Sequence, residues 1–247
     1  MRDYRMTFAR REWADDNQDA IMVDFDSSDS FDFVPGQYVR IRLIDQIHHD
    51  EHGDARIFNV ASAPSRNKRI SIVTRLRNSA FKRNLVDLPM GTPVLVSSAL
   101  GGFTLHPEIE VGIILLVGGT GIAPVIAMLH DLDERKAPYH LSLFYSNQTI
   151  GRTVYRHELE AWHRAGTLTR YVKTVTRTDL APHGYLSGRI DENMIEKQLG
   201  PGEIARSHFY ISGPWGMGDS MKEVLKNLSV PAEHIHVKEF DLKWLEQ

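Results

Sequence analysis

With 247 residues, 42% of them hydrophobic and 25% charged, the chain is long enough for two domains, or one large one, around a substantial core. Its composition is that of a soluble globular protein, and the absence of cysteine excludes disulfides, iron–sulfur clusters held by this chain, thiolate zinc sites and cysteine nucleophiles. The formal net charge of −3 conceals a strong segregation of sign along the chain.

Residues 1–20 mix Arg2, Arg5, Arg10 and Arg11 with Asp15, Asp16 and Asp19 and hold no apolar signal core. The longest apolar run is too short to span a bilayer, so the expectation is a soluble, cytoplasmic protein. The first hundred residues alternate short β-rich runs with turns. The strands predicted are Tyr38–Leu43, Ile57–Val60, Ile70–Val73 and Thr92–Val96, with Pro35-Gly36 and Met90-Gly91 among the connections. That spacing predicts an antiparallel barrel or sandwich. From about residue 111 strands alternate with amphipathic helices: strands near 111–117, 139–145, 169–175 and 208–212, helices near 122–135, 153–165, 191–198 and 216–228. This alternation predicts a parallel α/β sheet with crossover helices. The boundary falls near Pro107, giving a β domain over 1–107 and an α/β domain over 108–247.

Residues 12–32 carry Glu12 and seven aspartates without one Lys or Arg, whereas 66–83 carry Arg66, Lys68, Arg69, Arg75, Arg77, Lys82 and Arg83 without one acid. The basic run is either a solvated barrel face or a patch for a pyrophosphate and an acidic partner. Without an interleaved aromatic stacking motif it is a poor nucleic-acid surface. His48, His49 and His52, with Asp50 and Glu51, read as a solvated polar loop and show no metal-ligand spacing, so no metal is expected.

The apolar run Val111–Val117 ends in Gly118-Gly119-Thr120-Gly121-Ile122-Ala123-Pro124. A strand ending in glycines before a helix offers backbone N–H groups and the positive end of the helix dipole to a phosphate. The spacing is neither G-x-G-x-x-G nor a Gly-Lys-Ser/Thr phosphate loop. By itself it fits a phosphate site or a tight, ligand-free connection.

Five motifs in order resemble those of the ferredoxin–NADP reductase superfamily: Pro35-Gly36-Gln37-Tyr38, Arg56-Ile57-Phe58-Asn59-Val60-Ala61-Ser62, Gly101-Gly102-Phe103-Thr104-Leu105, the turn at 118–124, and Tyr210-Ile-Ser-Gly213-Pro214-Trp-Gly-Met217 with Met221. The resemblance covers nearly the whole chain. It implies a flavin-binding barrel followed by a nicotinamide-nucleotide domain. Arg56 would pair with the FAD pyrophosphate, Phe58 would lie against the flavin or its ribityl chain, and Asn59 would stand in the Ser/Thr position beside flavin N5. Ser62 supports the turn, Val73 and Thr74 offer main chain to the flavin, and Ser79-Ala80-Phe81-Lys82 covers the pyrophosphate without the family's glycine.

In the second domain Gly118, Gly119, Thr120 and Gly121 would hold the dinucleotide, with Thr120 orienting the nicotinamide. Gly213, Pro214 and Met217 would form the facing turn, and Ser212 replaces the family's cysteine beside the reacting ring. Phe240 is the aromatic expected on the flavin face, and Trp244 lies in a C-terminal extension that either stacks at the adenine end of FAD or packs outside.

The segment Phe144–Gln148 ends the second strand without an acid, while Arg177 and Arg189 resemble 2′-phosphate ligands, assisted by Ser146 and Tyr155; Gln148 stands where a third arginine is expected. NADPH is therefore expected, with NADH as the alternative. The resemblance implies a flavoprotein oxidoreductase in which Asn59, Thr120, Ser212 and Phe240 surround the reacting rings and electrons pass to a separate acidic carrier such as ferredoxin or flavodoxin. Two other readings stay open: reduction of a small acceptor, free flavin or a ferric siderophore, and a non-catalytic flavin-binding interaction subunit.

Overall fold

The computed structural model describes residues 2–106, 112–136, 140–178 and 180–238. The chain divides into two compact units, Met1–Leu105 with Ala123–Asp131, and His106–Ile122 with Leu132–Lys238.

The first unit is built on a six-stranded antiparallel sheet: β1 (Asp3–Trp13), β2 (Ala20–Ser27), β3 (Tyr38–Leu43), β4 (Ala55–Asn59), β5 (Arg69–Arg75) and β6 (Pro93–Ser97), in the order β4-β3-β6-β1-β2-β5. The two edge strands nearly close on each other. The Ala61 N–H donates to the Ser71 carbonyl at 2.8 Å and the Ser71 N–H to the Ser62 hydroxyl at 3.1 Å, which gives the barrel expected from the turn spacing. Alternate side chains point inward, so Met6 and Phe8 of β1, Val23 and Phe25 of β2, Val39 and Ile41 of β3 and Val94 and Val96 of β6 fill the interior. Helix α1 (Ala80–Asp87) begins at Ser79, whose hydroxyl accepts the Lys82 N–H at 3.3 Å, and it buries Phe81 and Leu85 one turn apart in the same core.

β1, β2 and α1 are not among the elements read from the sequence. β1 buries only Met6 and Phe8 among eleven residues and is otherwise mostly polar, so its alternation is hard to see. In β2 the apolar run is interrupted by Asp24, which is nevertheless buried and accepts a hydrogen bond from the Ser71 hydroxyl at 2.6 Å.

The second unit carries a six-stranded parallel sheet. From there the elements are β7 (Ile113–Gly118), α2 (Ala123–Glu134, of which Ala123–Asp131 groups with the first unit), β8 (Leu141–Asn147), α3 (Arg156–Ala165), β9 (Arg170–Val175), β10 (Leu186–Ser187), α4 (Glu192–Gln198), α5 (Pro201–Arg206), β11 (His208–Ser212), α6 (Met217–Asn227) and β12 (Ile235–Val237), in the strand order β10-β9-β8-β7-β11-β12. All six residues of β7 are buried, as a central parallel strand covered on both faces requires. The chain runs outward from β7 through β8, β9 and β10, then crosses to β11 on the other side. The strand order therefore reverses between β7 and β11, the kind of switch point where open α/β sheets bind ligands at their carboxyl ends.

Among the described residues no helix is long and apolar enough to cross a membrane, and no cluster of His, Asp or Glu is arranged to hold a metal ion.

Candidate functional site

In the barrel, three of the sequence motifs converge on one turn. The Tyr38 and Leu100 backbones exchange two hydrogen bonds of 2.9 Å, and the Gln37 side chain donates to the Gly101 carbonyl at 3.3 Å. Asn59 is buried at the end of β4, and its amide donates to the Gly36 carbonyl at 3.0 Å. The donor that the resemblance assigns to flavin N5 is thus engaged in holding the Pro35–Gln37 turn. The buried Ser62 hydroxyl accepts the Ser71 N–H at 3.1 Å. Val73 and Thr74 are buried within β5, paired with Met22 and Ile21 of β2.

Arg56 and Phe58, two apart on β4, both meet Phe81. The Arg56 guanidinium lies 5.3 Å from the Phe81 ring centre, and the Phe58 and Phe81 rings are 5.7 Å apart. Arg56 Nη1 donates to the carbonyls of His52 at 2.8 Å, Gly53 at 3.3 Å and Ala55 at 2.6 Å. Its Nη2 lies 3.8 Å from Asp50 Oδ1, while Asp50 Oδ2 accepts the Ala80 N–H at 2.6 Å. The first N–H of α1 and Arg56 therefore share one carboxylate, whose pKa is held below the usual carboxylate range chiefly by the Ala80 hydrogen bond. The Lys82 ammonium, expected to face the pyrophosphate, donates to the Arg75 carbonyl at 2.7 Å. Burial, then the charges of Arg77, Arg56 and Arg75, push it down to about 8.

The basic run proves to be partly paired with the acidic one, because β2 and β5 are antiparallel neighbours. Arg69 binds Asp26 through two bonds, of 2.5 and 2.8 Å, and Arg75 holds Asp15 at 2.9 Å together with Asp19. Arg66, Lys68, Arg77 and Arg83 remain exposed.

In the second unit the glycine turn and the 212–217 turn meet at the carboxyl ends of β7 and β11. Residues 119–122 form a short 3₁₀ turn leading into α2. A Cβ on Gly121 would lie 2.5 Å from the Ser212 carbonyl oxygen, and one on Gly118 would lie 2.8 Å from both Pro214 Cδ and Met217 Sδ. The buried Ser212 hydroxyl donates to the Gly121 carbonyl at 2.7 Å, and the Tyr145 hydroxyl donates to the Gly119 carbonyl at 2.9 Å. Ser212 is thus a tie between the two turns. Tyr145 is a further tie that sequence reasoning missed; its only signal is its place near the end of a buried strand. Thr120 and Gly119 are half-buried, and a Cβ on Gly119 would meet nothing within 4 Å.

The arginines expected at the 2′-phosphate follow adjacent strands on the same edge of the sheet. Arg177 follows β9, is exposed, and donates its backbone N–H to the Gln148 carbonyl at 3.0 Å. Arg189 follows β10, also exposed, after Gly188, whose carbonyl accepts from Thr174. Ser146 lies opposite Gly118 near the end of β8. Arg152, absent from the sequence reading, hydrogen-bonds the Gln148 side chain and brings a guanidinium to the position where an arginine was missing. Tyr155 caps α3 with a positive φ of 57° and half-buried side chain. Phe240, Trp244 and Pro107 lie outside the described residues.

Residues 115–223 match the family described as the oxidoreductase NAD-binding domain. The chain is 29% identical over 191 residues to ferredoxin–NADP reductase B of Sorangium cellulosum, covering 75% of this chain and 78% of that protein. It is 22% identical over 217 residues to the terephthalate 1,2-dioxygenase reductase component 1 of a Comamonas species, covering 84% of this chain but 59% of the relative. A ferredoxin NADP⁺ reductase from Neisseria gonorrhoeae, solved with bound FAD and NADP, shares the fold at a TM-score of 0.79 and 17% identity, over 96% of this chain and 98% of that one. With the antiparallel barrel and the parallel sheet, these likenesses support a relation to the ferredoxin–NADP reductase superfamily, whose named relatives are oxidoreductases.

Proposed function

We propose that the chain binds FAD on its barrel and NADPH at the carboxyl edge of its parallel sheet, and reduces a separate electron carrier of acidic surface, such as ferredoxin or flavodoxin. The observation that carries the reading is the close junction of the 118–121 and 212–217 turns, with open space over Gly119, at the switch point of the sheet. The barrel residues fit an anionic cofactor: a carboxylate already rests on the Ala80 N–H beside Arg56, near Lys82, which burial and then the charges of Arg77, Arg56 and Arg75 depress. When bound, the flavin would supply hydride and electron transfer, and the protein would supply orientation and electrostatics. Arg56 and the start of α1 hold phosphate; Gly119, with open space over it, admits the dinucleotide while Gly118 and Gly121 let the facing turn pack close; Arg177 and Arg189 read the 2′-phosphate. Thr120 orients the nicotinamide, while Ser212 and Asn59 act by fixing the turns rather than by donating to a ring.

Purified protein should show a flavin absorbance spectrum that NADPH bleaches in anaerobic stopped flow. Absence of bleaching by NADPH and by NADH would sink the enzyme reading. Arg177→Ala should weaken NADPH binding about tenfold or more, a loss of ~1.5–3 kcal/mol from one charge-assisted contact, and leave NADH unaffected. An unchanged NADPH preference would remove Arg177 from the 2′-phosphate site.

A second reading gains support from the cross-strand pairing of Arg69 and Arg75, which leaves fewer cations for an acidic carrier than the sequence implied. In that reading the acceptor is a small diffusible molecule, free flavin or a ferric siderophore. Turnover that falls steeply with salt favours the carrier; salt-insensitive turnover with free flavin favours the small acceptor.

A further inference from the structure

We propose that Asp50 is an internal anion that competes with the cofactor phosphate for the cradle formed by Arg56 and the N-terminus of α1, so that loading of the barrel requires Asp50 to give way. The inference rests on the reading of that cradle as the FAD pyrophosphate site. The Asp50 carboxylate uses the donors a phosphate would use: Oδ2 accepts the Ala80 N–H at 2.6 Å, and Oδ1 accepts the His52 N–H at 3.0 Å and lies 3.8 Å from Arg56 Nη2. An oxyanion at a helix N-terminus beside a guanidinium is held by dipole and charge together, whether it belongs to a side chain or to a ligand. One N–H cannot serve both at full strength.

The 45–54 loop delivers Asp50 to this position from a fixed stem. Asn84, fully buried on α1, accepts the N–H groups of Ile47 at 2.8 Å and His48 at 2.9 Å and donates to the His48 carbonyl at 2.7 Å. Two residues further on, Asp50 opens a turn closed by Gly53, which adopts a φ of +72° with open space around it, and the residues between them, Glu51 and His52, are exposed. The stem is therefore tied down while the turn bearing the carboxylate faces solvent. Asp50 can leave by moving that turn, which releases the Arg56 bonds to the His52 and Gly53 carbonyls and keeps the Asn84 bonds intact.

Charge decides which anion prevails. Besides burial, the charges of Arg77, Arg56 and Arg75 depress the Lys82 ammonium; Asp15 and Asp19 pair with Arg75, whereas Asp50 is the carboxylate that faces Arg56. A doubly charged pyrophosphate interacts more strongly with these cations, so the cofactor enters at reduced affinity and is not excluded. Asp50, held below the usual carboxylate range, stays charged at neutral pH, so the competition persists under physiological conditions.

The test is binding to the full chain freed of cofactor, followed by intrinsic fluorescence and by calorimetry. Asp50→Ala should bind FAD about tenfold more tightly than the parent. Riboflavin, which lacks phosphate, should bind both equally. Asp50→Asn keeps an oxygen for the Ala80 N–H but loses the charge, and should fall between the two. If FAD affinity is unchanged or weaker in both variants while their thermal midpoints show them folded, the competition is disproved and the FAD reading stands. If the parent binds neither FAD nor riboflavin, the FAD reading falls, and inorganic pyrophosphate decides the competition alone. Tighter pyrophosphate binding by Asp50→Ala supports it; equal or undetectable binding overturns it.

Discussion

At the scale of single residues, the most constrained position is Gly121. A methyl group there would meet main-chain atoms of Ser212 and Gly213 at 2.5–2.7 Å, and backbone cannot rotate out of the way as a side chain can. Gly121→Ala should destabilise the second unit by about 1–3 kcal/mol. Gly202→Ala, on α5 with only the far end of Arg206 within 4 Å, should stabilise it by roughly 0.5–1 kcal/mol. Urea denaturation of the two variants reads opposite shifts; a neutral Gly121→Ala would mean that the two turns are not in contact. Position 121 was readable from the glycine pattern, but its partner was not, because Ser212 is 91 residues away. The same holds for Asn59, whose type suggested a hydrogen-bond donor but whose acceptor, Gly36, is set by the barrel. Asp50 was unreadable in a loop that looks merely polar. Asn84 had a signal that went unused: it lies between Phe81 and Leu85 on the stripe that α1 buries.

At the scale of elements, the separation of acidic and basic runs turns out to be strand pairing. Residues 12–32 supply β2 and the turn before it, 66–83 supply β5 and α1, and the antiparallel register sets Asp26 opposite Arg69 and Ala20 opposite Arg75. The sequence displayed both runs, but a charge plot along the chain does not reveal which strands are neighbours. The two ion pairs differ in worth because they differ in burial. The Arg69 and Asp26 side chains are 40% and 41% exposed, so Arg69→Met should cost about 0–1 kcal/mol. Arg75 is 14% exposed and the Asp15 carboxylate fully buried, so Arg75→Met strands a buried charge and should cost roughly 3–5 kcal/mol, less whatever the Asp19 and Ala20 N–H bonds to Asp15 retain. Thermal denaturation compares them directly, and equal losses would contradict the burial argument. The central strands β3–β9 and β11 were legible because their apolar runs are continuous or strictly alternating. β1 escaped because it is mostly polar, and β10 because two residues leave no period to read.

At the scale of the whole molecule, the two units carry different titrating groups and should respond to acid in different windows. In the second unit His208 and His236 stand side by side on β11 and β12, with Nδ1 of one 2.9 Å from Nε2 of the other, a bond that needs at least one neutral ring. His234 packs on His208 at 4.4 Å between ring centres and Tyr210 on His236 at 4.5 Å, and His106, whose N–H donates to the Tyr210 hydroxyl at 3.1 Å, adds its charge from the connecting segment. Burial first, then these neighbouring histidines, lower both values below that of a free imidazole. The unfolded chain, titrating near about 6.5, then binds more protons than the folded one as pH drops below that value. Stability of this unit is therefore complete above about pH 6.5 and declines as pH falls toward the folded values. In the first unit the depressed groups that titrate in the acid range are carboxyls, Asp26 through Arg69 and Asp50 through Ala80, so their contribution is present above about pH 4 and is lost only below it. Segment-resolved hydrogen exchange from pH 7 to 5 should show β11 and β12 losing protection while β2 and β5 keep theirs. His236→Gln should flatten that slope without moving the carboxylate-controlled loss below about pH 4. Simultaneous loss in both sheets across pH 7 to 5 would show that the histidine pair does not govern the acid response.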